Sequence, residues 1–213
     1  MDCHEARPTD KFMLWVDAVG GFLVCGTDEV MLGQPVRCSA VDIPILGDIS
    51  SRHALIRRDG EGYMIEAIRE VWVDERAVDR TALLGDGNHI SLGRGVRMSF
   101  RRPHALSATV RLDMLSRHRT EPPTDGILLM ADSCILGPSP NCHVVCRDWP
   151  HEVILYRHGE ELFCRVGGPN RTEIQNTHLL EIDGQLCKGK GRITRNSHIR
   201  GKGFSLSLEE LAP

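Results

Sequence analysis

Apolar and polar residues alternate with a period of two along much of this chain. Tyr63, Ile65 and Ala67 interleave with Met64 and Glu66, the mark of a strand with one buried face. Leu162, Cys164 and Val166 repeat the pattern, as do Phe204, Leu206 and Leu208. Turn residues punctuate the runs at Asp59-Gly60-Glu61-Gly62, Gly85-Asp86-Gly87-Asn88 and Asp183-Gly184. Glycine there tolerates positive φ, and Asp or Asn bonds the local backbone. No segment longer than about ten residues carries a helical stripe. Many short strands at this spacing predict an all-β chain of antiparallel sandwiches. Ser107–Met114 reads as a short helix or, by the repeat that follows, as a first strand. Ser116–Asp125, with Arg117-His118-Arg119 and Pro122-Pro123, reads as a solvated loop.

The chain also reads twice, at a spacing of about 104 residues. Val30-Met31-Leu32-Gly33 aligns with Cys134-Ile135-Leu136-Gly137, and Leu55–Glu61 with Ile154–Glu160. Val73-Asp74-Glu75 then aligns with Ile182-Asp183-Gly184, and Val96–Phe100 with Phe204–Leu208. The spacing drifts while the order holds, so strands are kept and loops vary. Two sandwiches in tandem are expected, over residues 1–102 and 103–213, with a boundary near Arg102-Pro103. The loops at Gly33, Ser50 and Glu70 should converge at one end of the first.

Composition narrows the function without naming it. The 213 residues carry a formal charge of −3, with 26% charged and 41% apolar residues, ordinary values for a globular protein. No basic excess points to nucleic acid, and no apolar run approaches the roughly 18 residues that span a bilayer. Neither a nucleic-acid nor a membrane partner is expected. The N-terminal MDCHEARPTDK mixes charge signs without an apolar core, so a cytoplasmic location is expected.

Eight cysteines would pair only in an oxidising compartment. They read as free thiols, with Cys25, Cys134 and Cys164 buried as small hydrophobes. Cys142-His143 and Cys146 make one short ligand step, whereas a structural zinc site usually pairs two. No metal or cofactor is expected; a metal-supported or catalytic use of the Cys142–Cys146 region is the alternative. The chain has no Gly-rich phosphate loop, Gly-x-Ser-x-Gly elbow or His-Glu-x-x-His motif. No catalytic residue is assigned, and a binding module is expected rather than an enzyme.

Three steps in the first half carry the sharper signal. They are Leu32-Gly33-Gln34, Ile49-Ser50-Ser51-Arg52-His53, and the run Leu84-Gly85-Asp86-Gly87-Asn88-His89-Ile90-Ser91-Leu92-Gly93. Together they resemble a forkhead-associated (FHA) domain. The resemblance implies a β-sandwich whose loops bind phosphothreonine peptides. In that family the Arg of a Gly-Arg step and a Ser three residues before a His hold the phosphate. An Asn in a Thr-Asn-Gly turn bonds the ligand backbone, and the His braces the loops. Here Ser50 takes the serine position, His53 the histidine position and Gly33-Gln34 the Gly-Arg step. The candidate phosphopeptide residues are Gln34, Ser50, Ser51, Arg52 and Arg69, with Gly33 and His53 as structural support. A hydroxyl donor can bond a phosphate oxygen; Ser50 can equally cap the turn before Ala54.

The chain departs from the pattern in two places. Gln34 lacks the charge and fork of arginine; Arg37, Arg52, Arg57 and Arg69 are candidates to supply the cation, Arg52 from within the loop itself, and the alternative is that they solvate strand edges. Between Glu66 and Trp72 only five residues remain, with no Thr-Asn-Gly, and Asp74-Glu75 stands where the next hairpin usually has Asn-Gly. In the second half Pro138 follows Gly137, and Trp149-Pro150-His151-Glu152 fills the Ser-x-x-His position. That half resembles the family in layout only, and Trp149 either anchors a partner or fills a core gap. The implied partner is a phosphothreonine-containing protein, with a Ser/Thr kinase or its substrate upstream. The alternative is a scaffold that binds a protein regardless of phosphate.

Overall fold

The computed structural model describes residues 10–36, 41–167 and 179–211, and its regular structure is all strand. The first half contains β1 (Lys11–Val16), β2 (Gly20–Cys25), β3 (Glu29–Gly33), β4 (Ile43–Leu46) and β5 (Ala54–Asp59). It continues with β6 (Gly62–Ala67), β7 (Val71–Val73), β8 (Arg76–Ala77), β9 (Thr81–Leu84), β10 (His89–Leu92) and β11 (Val96–Arg101). The second half opens with β12 (Val110–Met114), β13 (Arg119–Thr120), β14 (Gly126–Leu129), β15 (Ser133–Gly137) and β16 (Val144–Val145). Then come β17 (Val153–His158), β18 (Glu161–Val166), β19 (Leu179–Ile182) and β20 (Gln185–Lys188). The last are β21 (Lys190–Ile193), β22 (His198–Gly201) and β23 (Phe204–Glu210).

Local hydrogen-bond patterns in the two halves are alike. Met31 donates its N–H to the Asp42 carboxylate at 2.8 Å, and Asp42 N–H returns to Met31 C=O. In the second half Ile135 donates to His143 Nδ1 at 3.0 Å, and His143 N–H returns to Ile135 C=O. The β7–β8 turn uses Asp74 and Glu75 at φ 48° and 65°, and the β19–β20 turn uses Asp183 and Gly184 at 51° and 81°. Two consecutive positive φ values match the right-handed twist of a two-residue hairpin. Asp74 Oδ1 accepts from His89 N–H at 2.8 Å, and Asp183 Oδ1 from His198 N–H at 2.7 Å.

One sheet of twelve strands runs through the molecule in the order β20-β19-β22-β23-β1-β2-β14-β12-β11-β10-β7-β8. A six-stranded sheet, β13-β4-β3-β5-β6-β9, and a five-stranded one, β16-β15-β17-β18-β21, complete two sandwiches. Their cores lie on opposite faces of the long sheet, as the alternation along β1 and β2 shows. Phe12, Leu14, Val16, Phe22 and Val24 join the second core, whereas Met13, Leu23 and Cys25 join the first. The β12–β14 segment supplies Val110, Leu112, Ile127 and Leu129 to the first core and Leu128 to the second.

The halves are therefore interlocked rather than set end to end. The last strand of the first half, β11, pairs with β12, the first strand of the second. The last strand of the second half, β23, pairs with β1. The stretch around Pro103, expected as a boundary, links two paired strands of one sheet. Its neighbours Arg101 and Arg111 stand opposite each other in register. Burial drives the exchange: both faces of β2 and β14 are apolar, and only a position between two cores covers both.

Of the two readings of Ser107–Met114 the strand holds, as β12, and one expectation is corrected. Ser116–Asp125 is not simply a solvated loop, because β13 within it pairs with β4 and Thr120 is only 1% exposed. The Thr120 hydroxyl is satisfied by Pro122 C=O at 2.8 Å and Thr124 at 2.9 Å, which permits its burial. Cys25, Cys134 and Cys164 are buried, and burial pushes each thiol up to about 12. Cys3 and Cys38 lie outside the described residues.

Candidate functional site

The candidate residues gather where β3, β4 and β6 end and β5 and β7 begin, at one end of the first sandwich. Gly33 is required by close approach. A Cβ there would stand 2.9 Å from the Ser50 carbonyl oxygen and nearer still to that of Ser51. With no Cβ in the way, Gln34 N–H bonds Ser50 C=O at 3.0 Å. The end of β3 is thus stitched to the Ser50–Arg52 loop through the backbone.

His53 fastens the rest. Its backbone N–H donates to Leu32 C=O at 2.9 Å, and its C=O accepts from Ile68 and Arg69 at 3.1 and 2.9 Å. The buried ring accepts Ser50 N–H at Nδ1, 3.2 Å away. A ring nitrogen that accepts carries no proton, so Nε2–H donates to Glu70 C=O at 2.9 Å. The same carbonyl takes Gly93 N–H at 2.9 Å. One neutral imidazole therefore joins the Ser50 loop, the β6–β7 connection and the β10–β11 turn.

The bracing leaves the outward groups unclaimed. The Ser50 and Ser51 hydroxyls, the Arg52 guanidinium and the Gln34 side-chain amide have no partner among the described residues. Gln34 and Arg52 are exposed, and the two serines are half-buried. Ser50 does not act as a hydroxyl cap here; His53 Nδ1 serves its loop instead. Arg69 is exposed and turns back on Ile68 C=O at 3.1 Å. Arg57 is held between Glu29 and Glu66, each at 3.4 Å, and Arg37 lies outside the described residues. Only Ile68, Arg69 and Glu70 join β6 to β7.

Gly33→Ala tests this construction. The added methyl meets backbone rather than a yielding side chain, so the Ser50–Arg52 loop must move. Overpacking of this kind costs about 1–3 kcal/mol. Urea unfolding should report that loss, and amide shifts in the intact variant should change chiefly at residues 50–53.

Among the described residues the second half has no matching set. Glu152 stands where His53 does in the first, 3.9 Å from Cys142 Sγ through Oε1. Trp149 is 6% exposed, and its ring lies 5.1 Å from that of Phe204, so it fills the core. Burial raises Cys142 to about 11 and Cys146 to about 12. Burial thus disfavours the thiolate of both, the form that attacks as a nucleophile. Among the described residues no group of three or more His, Cys, Asp or Glu is placed to hold a metal ion.

No family model and no curated protein matches the chain. Solved structures that it resembles include FHA domains. The FHA-2 domain from the Mycobacterium tuberculosis ABC transporter Rv1747 is 23% identical at a TM-score of 0.33, over 42% of this chain and 76% of that one. Mycobacterium tuberculosis EmbR, solved with a low-affinity phosphopeptide, is 24% identical at a TM-score of 0.33, over 43% of this chain and 24% of that one.

One feature of the site escaped the sequence. The segment after β12 wraps the loop end, with Ser116 N–H on Arg97 C=O and Glu121 N–H on Pro44 C=O. His118 lodges against Gly47 and Gly95, where added Cβ atoms would lie 2.9 and 3.2 Å from its ring. Those two glycines were the signal, a close approach that a turn reading does not distinguish.

Proposed function

We propose that the chain is a non-enzymatic protein-interaction module whose first sandwich binds phosphothreonine peptides through Gln34, Ser50, Ser51, Arg52 and Arg69. The observation that carries this reading is the group of unclaimed donors on a loop held by His53. Donors fixed by a buried brace and left without internal partners are pre-organised for an anionic acceptor. A Ser/Thr kinase, or its substrate, is the partner this function implies, in the cytoplasm. The second sandwich, a degenerate copy in this reading, supports the first and carries no phosphate contact of its own.

A fluorescence screen of a degenerate phosphothreonine library against its unphosphorylated twin tests the reading. Phosphopeptides should bind and their twins should not. Ser50→Ala should cost about 1.5–3 kcal/mol of binding, the worth of a hydrogen bond to a charged group. Gln34→Arg should tighten binding by making a neutral contact charge-assisted, with a gain that shrinks as salt is added. Gln34 itself favours a second reading, a phosphate-independent scaffold. A partner that binds equally with and without phosphate, and ignores both substitutions, would select it.

A further inference from the structure

The loop end of the first sandwich carries arginines beyond those of the motif. Arg94 lies in the β10–β11 turn, between Gly93, whose N–H is held by Glu70 C=O, and Gly95, which seats His118. Arg117 and Arg119 flank His118 on the wrapping segment. Pairing of Arg119 with Leu46 sets that segment on the edge of β4, one residue before the loop that holds Ser50. His118 Nδ1 is fixed to Ser116 Oγ at 2.8 Å, and Ser116 Oγ accepts Arg97 N–H at 3.1 Å. The segment is thus anchored at both ends and packed in the middle.

Arg52, Arg94, Arg117 and Arg119 are all exposed, and none of their guanidinium groups has a partner among the described residues. With Arg69, five arginines face three carboxylates, Asp48, Glu70 and Glu121, in the loops 47–53, 68–70, 93–95 and 115–121. A local positive excess stands out on a chain whose formal charge is −3. Exposed arginines usually find a nearby carboxylate or are simply solvated. Four left free around one loop cluster set up a field that attracts an extended anion.

We propose that this arginine rim, with Arg117 and Arg119 supplied by the wrapping segment, selects phosphothreonine segments flanked by acidic residues. The rim provides around the phosphate the positive charge that Gln34 lacks at it. The inference rests on the phosphothreonine reading of the same loops.

Two phosphothreonine pools, one with Asp/Glu flanks and one with neutral flanks, should be titrated against the intact chain. The acidic pool should bind about three- to tenfold tighter at low salt, and roughly 0.5 M NaCl should erase the difference. The double variant Arg117→Gln/Arg119→Gln should remove most of the preference, weaken neutral-pool binding far less than acidic-pool binding, and leave thermal unfolding unchanged. Equal binding of the two pools, or a double variant that keeps the preference, overturns the rim and leaves the phosphothreonine reading standing. Failure of both pools to bind removes both. Binding of an unphosphorylated acidic peptide as tightly as its phosphorylated form would make the surface a general acidic-peptide site and overturn the proposal.

Discussion

Cutting the chain between Arg102 and Pro103 should give two fragments, neither of which folds alone. The second sandwich would lose Phe12, Leu14, Val16, Phe22 and Val24 from its core. At roughly 1.5–3 kcal/mol per buried side chain, those five together match the whole stability of a typical domain, about 5–15 kcal/mol. The first sandwich would lose Val110, Leu112, Ile127 and Leu129, and β11 would be left as a bare apolar edge prone to association. Each fragment should show poor amide dispersion and bind a hydrophobic dye. Mixing the two should restore a native-like spectrum. A fragment with a sharp, dispersed spectrum and cooperative unfolding would show that the exchanged hairpins are dispensable.

Acid should destabilise the protein through His143. The residue is fully buried; its Nδ1 accepts Ile135 N–H at 3.0 Å, and its Nε2 has no partner among the described residues. Burial, and then the nearby His104 ring at 6.3 Å, lowers its pKa from 6.5 to about 4. Protonation would remove the acceptor and bury a charge. Because the folded pKa lies below the unfolded one, the contribution is fully present above about pH 6.5 and is lost as pH falls toward 4. Between pH 7.5 and 4.5 the loss should be about 2–3 kcal/mol. Carboxylates titrate there as well, so the comparison is with His143→Asn, which keeps an acceptor and removes the titration. Urea unfolding at both pH values should show a drop smaller by that amount in the variant. Equal drops would mean that His143 does not carry the linkage.

Strand content was legible because it rests on local signals, alternation and turn residues. Tyr63 and Ile65 are buried and Glu66 is half-buried, as the alternation required. Asp74-Glu75 is a tight turn, as its residue types suggested. The exchange of hairpins was not legible. Phe12, Met13 and Leu14 announce burial on both faces, but no local pattern says whether β1 joins β11 or β23. The Gly33, Ser50 and Glu70 loops meet, and the His53 ring bonds Ser50 N–H and Glu70 C=O. Arg117 and Arg119 escaped because their segment is set at the loop end by non-local packing of His118 on Gly47 and Gly95. Charge spacing alone cannot show that.

The most direct measurement is an amide-resolved NMR titration of the intact chain with a phosphothreonine peptide and with its unphosphorylated twin. Saturable shifts are expected with the phosphopeptide alone, concentrated at Gly33–Gln34, Ser50–His53 and Ile68–Glu70. Those amides either carry the unclaimed donors or belong to the His53 brace. Shifts of equal size with the twin, or shifts that spare the Ser50–His53 loop while mapping elsewhere, would contradict the phosphothreonine reading.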